Sequence, residues 1–330
     1  MKRKLASVQR IKSLEPIEGA DAIEKATVLG WQLVVKKGEF QAGDLCVYCE
    51  IDSLMPDKPP FEFLKPRAMR IRTVRLRGQI SQGICFPLSM LPPDAEINED
   101  ADVTEMLGIV KYEPPVPESL TGTAKGGFPS FIPKTDETRV QVLQEMLSKY
   151  KGTPCYVTEK LDGTSVTFFI KDGVFGVCSR NLELLETSES VPWKIARQLN
   201  IETKLRALNR NLALQGELIG AGVQGNKYKL KTQAVFFFTA FDIDAYRFLD
   251  YADFAAMMKH LELQSVPIAS TAFELTDDID ELVSLSVARS QLNAAVWREG
   301  VVIRPLQEKT DMMGRVSFKV INPEFLLKYD

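Results

Sequence analysis

The residue with the clearest potential for chemistry is Lys160, which ends a β-rich run and precedes Asp162 and the turn residue Gly163. A lysine amine is a nucleophile once it has lost its proton. A free lysine has a pKa of ~10.4, so its deprotonation at pH 7 costs about 4.6 kcal/mol. The local spacing is a weak signal, because surface lysines often precede Asp-Gly turns. Other residues must therefore indicate whether Lys160 reacts.

Histidine and cysteine chemistry is disfavoured by the composition. His260 is the only histidine of 330 residues and lies outside every motif, which disfavours a histidine metal centre, a Ser-His-Asp triad or a Cys-His pair. The five cysteines are an odd number and are widely spread, which predicts reduced thiols. Cys46 and Cys49 have zinc-knuckle spacing but no second pair, so we predict ordinary strand cysteines. Lysine, arginine, carboxylates and hydroxyl groups remain.

Five further motifs follow the segment from Tyr156 to Gly163. In chain order they are Ser179-Arg180-Asn181, Gly216-Glu217-Leu218, Phe241-Asp242-Ile243-Asp244, Glu299-Gly300-Val301 and Ser317-Phe318-Lys319. The complete ordered set resembles motifs I, Ia, III, IIIa, IV and V of the covalent nucleotidyltransferase superfamily, which comprises DNA ligases, RNA ligases and mRNA capping enzymes. The resemblance extends from about residue 128 to the last residue.

This resemblance implies a reaction. Lys160 would attack the α-phosphate of ATP, release pyrophosphate and hold AMP as a phosphoramidate, while Lys319 contacts the α-phosphate. AMP would then pass to an RNA 5′-phosphate, and the adjoining 3′-OH would displace it and seal the strand. Nearby cations and a bound metal can lower the pKa of the lysine.

The resemblance also implies ligands. Mg²⁺ or Mn²⁺ would be held through its hydration shell by Glu299, Asp162 and, less securely, Asp244. The nucleotide would be bound by a second group of residues. Phe241 would stack on adenine, Val301 would pack on its other face, Glu159 would contact the adenine amino group, Glu217 the ribose hydroxyls, and Arg180 the ribose or a phosphate.

Two segments, together with the domain order, favour ATP-dependent RNA ligases within the superfamily. The stretches FIPKTDETRVQ at 131–141 and GELIGAGVQGNKY at 216–228 resemble theirs. An N-terminal barrel before the nucleotidyltransferase domain resembles the RNA ligase 5 family, which seals nicks with an RNA 3′-OH strand. The alternatives are a DNA ligase, a GTP-dependent capping-type enzyme, or an inactive RNA-binding protein. The domain order disfavours the first two, and the intact Lys160, Glu217 and Glu299 disfavour the third.

One position departs from the pattern. Many ligases have Lys-x-Lys in motif V, but here the second position is Ile321. Another cation, for which Arg304 is a candidate, would have to neutralise the triphosphate.

The prolines predict how the chain is divided. Pro114, Pro115, Pro117, Pro129 and Pro133 predict a Pro/Gly-rich linker at 111–134. Residues 1–110 are rich in strand signals and are predicted to form an OB-like β-barrel that binds RNA. Residues 135–330 are predicted to form an α+β nucleotidyltransferase domain of antiparallel sheets and helices, with the ATP-grasp-like fold of such ligases. Its helices are predicted at 135–150, 190–209, 250–262 and 277–292.

Two basic stretches are candidates for RNA contact. Arg70, Arg72, Arg75 and Arg77 lie on a predicted barrel strand, although a charge-protected edge strand is an alternative. Lys227 and Lys229 follow the G-x-G-x-x-G stretch 220–225. A dinucleotide fingerprint would need a helix after that stretch, and strand-like residues follow instead. A phosphate backbone is therefore the better ligand.

The net charge, the N-terminal sequence and the apolar stretches indicate where the protein acts. The net charge is −3, the N-terminal sequence has no apolar core typical of a signal peptide, and the longest apolar stretch is too short to span a membrane. We expect a cytoplasmic protein, or a nuclear one in a nucleated cell, whose partner is RNA with 3′-OH and 5′-phosphate ends. No motif indicates a membrane or a protein partner.

Overall fold

The structure is a computed structural model that describes residues 3–93, 95, 97–113, 122–311 and 314–330. The chain forms two compact units. The first comprises Met1–Pro114 and Pro323–Asp330, and the second comprises Pro115–Asn322. Residues 323–330, which we expected in the C-terminal domain, thus belong to the first unit. Residues 114–121 of the predicted linker lie outside the described residues.

The first unit is built on an antiparallel sheet of five strands in the order β3-β2-β1-β4-β8, with two small two-stranded sheets, β5-β9 and β6-β7. The strands are β1 Ala6–Pro16, β2 Ile23–Val28, β3 Trp31–Lys36, β4 Leu45–Cys49, β5 Ser53–Leu54, β6 Val74–Leu76, β7 Gln79–Ser81, β8 Ile84–Phe86 and β9 Val110–Lys111. A 3₁₀ helix, Pro59–Arg67, lies between β5 and β6, and a shorter one, Leu88–Met90, follows β8.

The long strand β1 bends the sheet. Its first half pairs with β4, and its second half pairs with β2, with a register shift between Ile11 and Ser13. A bulge of this kind bends a strand and increases its twist, as a small barrel requires. Trp31, Tyr48 and Ile11 are fully buried in the core of this unit.

A helix at Pro323–Tyr329 completes the first unit. Its Leu326 packs on the core, and Glu324 forms an ion pair with Arg75. Asp330, the residue after the helix, accepts a hydrogen bond from the buried Arg70. The segment that follows the motif V strand is therefore part of the fold of the first unit.

The second unit contains the remaining elements. Its strands are β10 Ala124–Gly127, β11 Thr138–Arg139, β12 Pro154–Lys160, β13 Thr164–Lys171, β14 Val174–Cys178, β15 Leu182–Leu184, β16 Leu212–Ile219, β17 Ala234–Asp242, β18 Arg247–Phe248, β19 Ile268–Glu274, β20 Gly300–Pro305, β21 Thr310–Asp311, β22 Gly314–Arg315 and β23 Phe318–Ile321. Its helices are α1 Gln144–Tyr150, α2 Val191–Gln198, α3 Ile201–Ala207, α4 Tyr251–His260 and α5 Ile279–Ser286. Short 3₁₀ helices lie at Val140–Val142 and Gln224–Asn226.

Two sheets organise this unit. A seven-stranded sheet has the order β10-β15-β14-β13-β16-β17-β18, and a five-stranded sheet has the order β11-β23-β20-β12-β19. All pairs are antiparallel except β11 with β23. Residues of α2 and α3 pack on one face of the larger sheet, and residues of α1 and α5 pack on one face of the smaller. Arg304 of β20 in the smaller sheet donates to the Phe238 carbonyl oxygen of β17 in the larger sheet, and Arg315 of the two-stranded β21-β22 sheet donates to Thr239 of β17.

The predicted α+β class is confirmed, with local differences. The helix expected at 135–150 begins only at Gln144, because the residues before it form β11 and a 3₁₀ turn. The helix expected at 190–209 is two helices, separated at Asn200 with φ of 53°. The helix expected at 277–292 ends at Ser286. Part of the expected linker, Ala124–Gly127, is an edge strand paired with β15.

Candidate active site

Lys160 is the last residue of β12 and stands within a group of carboxylates. Its Nζ lies 2.7 Å from both Oε1 and Oε2 of Glu299. Its side chain is 24% exposed. Burial lowers the pKa of Lys160, but the carboxylates of Glu299 and Glu217 outweigh burial and raise it. The resting amine is therefore held as an ammonium ion by its neighbours.

The carboxylates around Lys160 are themselves crowded. Burial raises the pKa of Glu217 to about 8; Lys160 opposes the shift, and Glu299 and Asp162 add to it. Burial also raises the pKa of Glu299, although Lys160 opposes that shift. Negative charge thus exceeds what the nearby amine compensates, which is the condition that favours a bound cation.

Asp162 is held by the loop that follows Gly225, which the sequence predicted to be a strand. Its carboxylate pairs with Lys227, and its main-chain N–H donates to the Tyr228 hydroxyl at 2.7 Å. The residues after Gly225 form turns rather than the expected strand, and Lys229 has φ of 57°. Lys227 and Lys229 therefore do not form a stripe on one strand face. Lys227 lies in the Lys160 site, whereas Lys229 is exposed.

Strand register separates the two faces of the smaller sheet. Thr158 pairs with Val302, which pairs with Lys319, so these residues share a face with Lys160. Val301 pairs instead with Glu159 and is fully buried with Val157 and Val320 against the helices. The prediction that Val301 packs on adenine is therefore wrong. Val302, one residue later, lies on the Lys160 face.

Phe241 also lies in a different environment from the expected one. It is 1% exposed, with the ring centroids of Phe248 and Tyr246 at 5.0 and 5.2 Å, so neither face is open to a base. A register shift in β17 falls beside Gly216, and Glu217 pairs with Phe236. Phe236 and Phe238, for which apolar strand residues would ordinarily predict a core position, are half-buried beside Leu161. The bulge, which no local sequence signal marks, moves the candidate for stacking to Phe238.

Asp244 is separated from the Lys160 cluster. It is exposed beyond the end of β17 and accepts a hydrogen bond from Asn211, which also binds Asp172. In the sheet, Glu217 pairs with Phe236, whereas Asp242 pairs with Leu212 at the other end of β16. The structure therefore does not support the predicted metal-binding role of Asp244, because the length of a strand separates it from the other carboxylates.

The 134–139 segment ties several site residues together. Asp136 pairs with the exposed Arg180. Glu137 accepts from Arg304 at 2.8 Å and from the Ser317 hydroxyl at 2.7 Å. Arg304 is 2% exposed and is paired with Glu137. It therefore cannot replace the second motif V lysine, whose position is occupied here by Ile321.

Arg139 is a candidate that sequence reasoning missed. In β11 it pairs with Lys319 of β23, which places a second cation beside the motif V lysine. The signal was available, because Arg139 lies within the upstream segment that resembles RNA ligases. Only the parallel pairing of β11 with β23 brings it to the site.

Glu159 is buried next to the predicted nucleophile. One carboxylate oxygen, Oε2, accepts from the main-chain N–H of Gln291 at 2.8 Å. Burial raises the pKa of Glu159, while hydrogen bonds from Ser290 and the Gln291 main chain oppose the rise. Glu159 pairs with Val301 and therefore lies on the face of the sheet opposite Lys160.

The arginines predicted to contact RNA are mostly occupied within the first unit. Arg70 is 7% exposed, pairs with Asp52 and Asp330, and stacks on the Tyr112 ring at 3.9 Å. Arg72 donates to the main-chain oxygen of Asp330, and Arg75 pairs with Glu324. Arg77 is exposed at a hairpin turn with φ of 49°. Of the four, Arg75 and Arg77 are exposed, and Arg75 is paired with Glu324.

The chemistry of the site defines a class of protein. A lysine amine surrounded by carboxylates, at the junction of two antiparallel sheets, with a lysine and an arginine on the adjoining strands, is the arrangement of a covalent nucleotidyltransferase. A family model for RNA ligase matches residues 153–321, and an OB-fold domain matches residues 5–88. Comparison with curated protein sequences gave no match.

Solved structures agree over nearly the whole chain. A Naegleria gruberi RNA ligase variant with AMP and Mn is 41% identical, with 98% of each chain covered and a TM-score of 0.91. Another variant of that ligase with ATP and Mn, and the ligase with PPi, match to the same extent. This chain belongs to the RNA ligase family, and its first unit is an OB-fold domain.

All five cysteines are free and buried. Among the described residues, the structure contains no helix that is both long and apolar enough to cross a membrane.

Proposed function

We propose that this protein is an ATP-dependent RNA ligase that works through a covalent lysyl-AMP on Lys160 and then an AMP-capped RNA 5′ end. The observation that carries the proposal is the contact of Lys160 Nζ with both carboxylate oxygens of Glu299, in a chain of the RNA ligase family. The Naegleria gruberi relatives solved with ATP, AMP or PPi support ATP as the nucleotide.

In the first step the Lys160 amine forms a bond to the α-phosphorus of ATP, and the bond from that phosphorus to the bridging oxygen breaks, so that pyrophosphate leaves. The amine must first lose a proton. Glu299 is positioned to accept it, because both of its oxygens are 2.7 Å from Nζ. The raised pKa of Glu299 makes this carboxylate a better base than an ordinary glutamate.

The residues present fit a divalent cation. Asp162, Glu217 and Glu299 supply oxygen ligands of the kind that Mg²⁺ and Mn²⁺ prefer. Burial raises the pKa of Glu217 to about 8, and the carboxylates of Glu299 and Asp162 add to the rise. A bound cation would neutralise phosphate charge and ease the departure of pyrophosphate. In the structure, the ammonium group of Lys227 forms an ion pair with the Asp162 carboxylate.

Nucleotide recognition follows from the faces of the two sheets. We assign adenine stacking to Phe238 and packing on its other side to Val302, in place of Phe241 and Val301. Glu159 pairs with Val301 and so shares its buried face, and we therefore do not assign it to the adenine amino group. Lys319 and Arg139 would together neutralise phosphate charge, so that Arg139 compensates for Ile321.

Later steps use RNA ends. AMP would pass from Lys160 to a 5′-phosphate, and the 3′-OH of the adjoining strand would displace AMP at a nick. The OB-fold unit, with Arg77 on its surface, would contact the phosphate backbone. We place this activity in the cytoplasm or nucleus, because the five buried thiols are free.

Label transfer tests the proposal. The protein is incubated with α-labelled ATP or GTP and Mg²⁺, denatured, and examined for bound label. We expect label with ATP, none with Lys160→Ala, and unchanged label with Lys194→Ala, an exposed lysine on α2. Unlabelled wild type, or equal labelling of Lys160→Ala, would contradict the mechanism. Preferential labelling by GTP would favour a capping-type enzyme, and equal sealing of all-DNA nicks would favour a DNA ligase.

A further inference from the structure

The main chain on both sides of Glu299 is pinned by buried polar groups that are not part of any motif. Asn322 donates its main-chain N–H to the Glu299 carbonyl oxygen at 2.9 Å. The Asn322 carboxamide donates to the Arg298 carbonyl oxygen at 3.1 Å. Asn322 is 0% exposed, so water cannot replace these bonds.

Arg298 provides a second attachment for the same segment. It is 6% exposed, and its guanidinium donates to the carbonyl oxygens of Ser286 (2.9 Å) and Leu285 at the end of α5. A cation at the C-terminal end of a helix also interacts favourably with the helix dipole. The Arg298 side chain thus fixes this segment to α5. Asn322 fixes it from the other direction, through its main-chain N–H and its carboxamide.

The packing around this segment leaves little freedom. Gly300 pairs with Ile321, and a Cβ at Gly300 would lie 2.1 Å from the Val320 carbonyl oxygen. Strands β20 and β23 therefore approach so closely that only glycine fits. Asn322 follows directly after Ile321, so it holds Glu299 in register with the strand that carries Lys319.

We propose that Asn322 is a positioning residue for the first step, because its two hydrogen bonds fix the Glu299 main chain and so keep the carboxylate on Lys160 Nζ. This inference rests on the proposed function. The carboxylate must meet the amine at hydrogen-bond distance to take its proton, and misplacement by about 1 Å can cost about 100-fold in rate.

Variants at Asn322 test the inference. Asn322→Leu keeps the branched shape without the donor, and Asn322→Ala removes the side chain. The single-turnover rate constant of lysyl-AMP formation and the labelling amplitude are measured over a range of ATP concentrations, with thermal unfolding in parallel. We expect the rate constant at saturating ATP to fall about tenfold, with the KM for ATP within about twofold of wild type, because the base is displaced while the nucleotide contacts remain.

A purely structural role predicts different data. It would lower the melting temperature and the labelling amplitude, which reports the fraction of active enzyme, without lowering the rate constant of the enzyme that remains active, and that result would overturn the inference. Asn211→Ala, which removes a carboxamide at the far end of the same unit, is the matched control and should leave the rate constant and the KM unchanged. If wild type forms no lysyl-AMP, the proposed function itself fails. If wild type is labelled and the Asn322 variants match it in rate constant, only the positioning role fails.

Discussion

Two charged regions were singled out by their residue types, and the structure uses them differently. Around Lys160, the amine and its carboxylate partners remain partly exposed, and the pKa values of Lys160, Glu217 and Glu299 are all raised. Around Arg70, the guanidinium is buried and matched by Asp52 and Asp330. In the first region the carboxylates exceed the cations and can bind a ligand. In the second region the ion pairs stabilise the fold.

This difference shows how a reactive cluster can be distinguished from a structural one. In the OB-fold unit, each cation of the Arg70–Arg75 stretch bonds to the 323–330 segment. In the Lys160 site, three carboxylates influence one amine, so the excess negative charge has to be met by protons or by a cation.

The largest effect is expected from removing the base. Glu299→Gln keeps the shape of the side chain but cannot accept a proton, so we expect lysyl-AMP formation to slow by ~10²–10⁴-fold. Single-turnover labelling measures this rate. Glu262→Gln, an exposed change after α4, is the control. A Glu299→Gln rate within tenfold of wild type would show that Glu299 is not the base for Lys160.

Removing the structural cation is expected to affect stability instead. Arg70→Ala leaves Asp52 and Asp330 without their buried partner, which should lower the free energy of unfolding by ~3–5 kcal/mol. Urea denaturation measures this loss, and Arg77→Ala should change it by less than ~0.5 kcal/mol. Labelling of Lys160 in the folded fraction of Arg70→Ala should persist. Unchanged stability would show that Arg70 is not structural.

The pH dependence of stability sharpens the same contrast. The pKa of Glu217 is about 8 in the folded protein, above the ordinary value of ~4.3, so the folded state binds this proton more tightly. The resulting stabilisation is present at low pH and is lost as the pH rises through about 8.

Glu217→Gln should therefore gain melting temperature over wild type as the pH rises from 5.5 to 9 without divalent cations. Calorimetry at several pH values checks this expectation. A difference that does not change with pH would indicate that Glu217 has an ordinary pKa.

The smallest effect is expected at the exposed end of the arginine stretch. Arg77→Ala should weaken binding to a nicked RNA duplex only a few-fold. The slope of log K against log[salt] should become shallower by about the amount expected for one lost phosphate contact. Titrations at several salt concentrations measure both quantities. Arg210→Ala, an exposed arginine of the second unit, is the control. An unchanged salt slope would remove Arg77 from the RNA surface.

The sequence by itself determined the chemistry and its class. Lys160, Asp162, Glu217 and Glu299 could be selected because the order of the motifs reports the reaction, and the structure brings these four residues together. The α+β class and most strands were also predictable, since period-2 patterns are local. These features depend on neighbouring residues, which a sequence displays directly.

Tertiary structure alone decided which side chain of a motif faces the site. A change of one residue in strand register reverses the face, so Val302 replaces Val301, and a bulge in β17 brings Phe238 forward while Phe241 is buried. Arg304 and Arg70 were misjudged because their partners, Glu137 and Asp330, are 167 and 260 residues away. Long-range pairing sets the environment of a charge, and no local pattern records it.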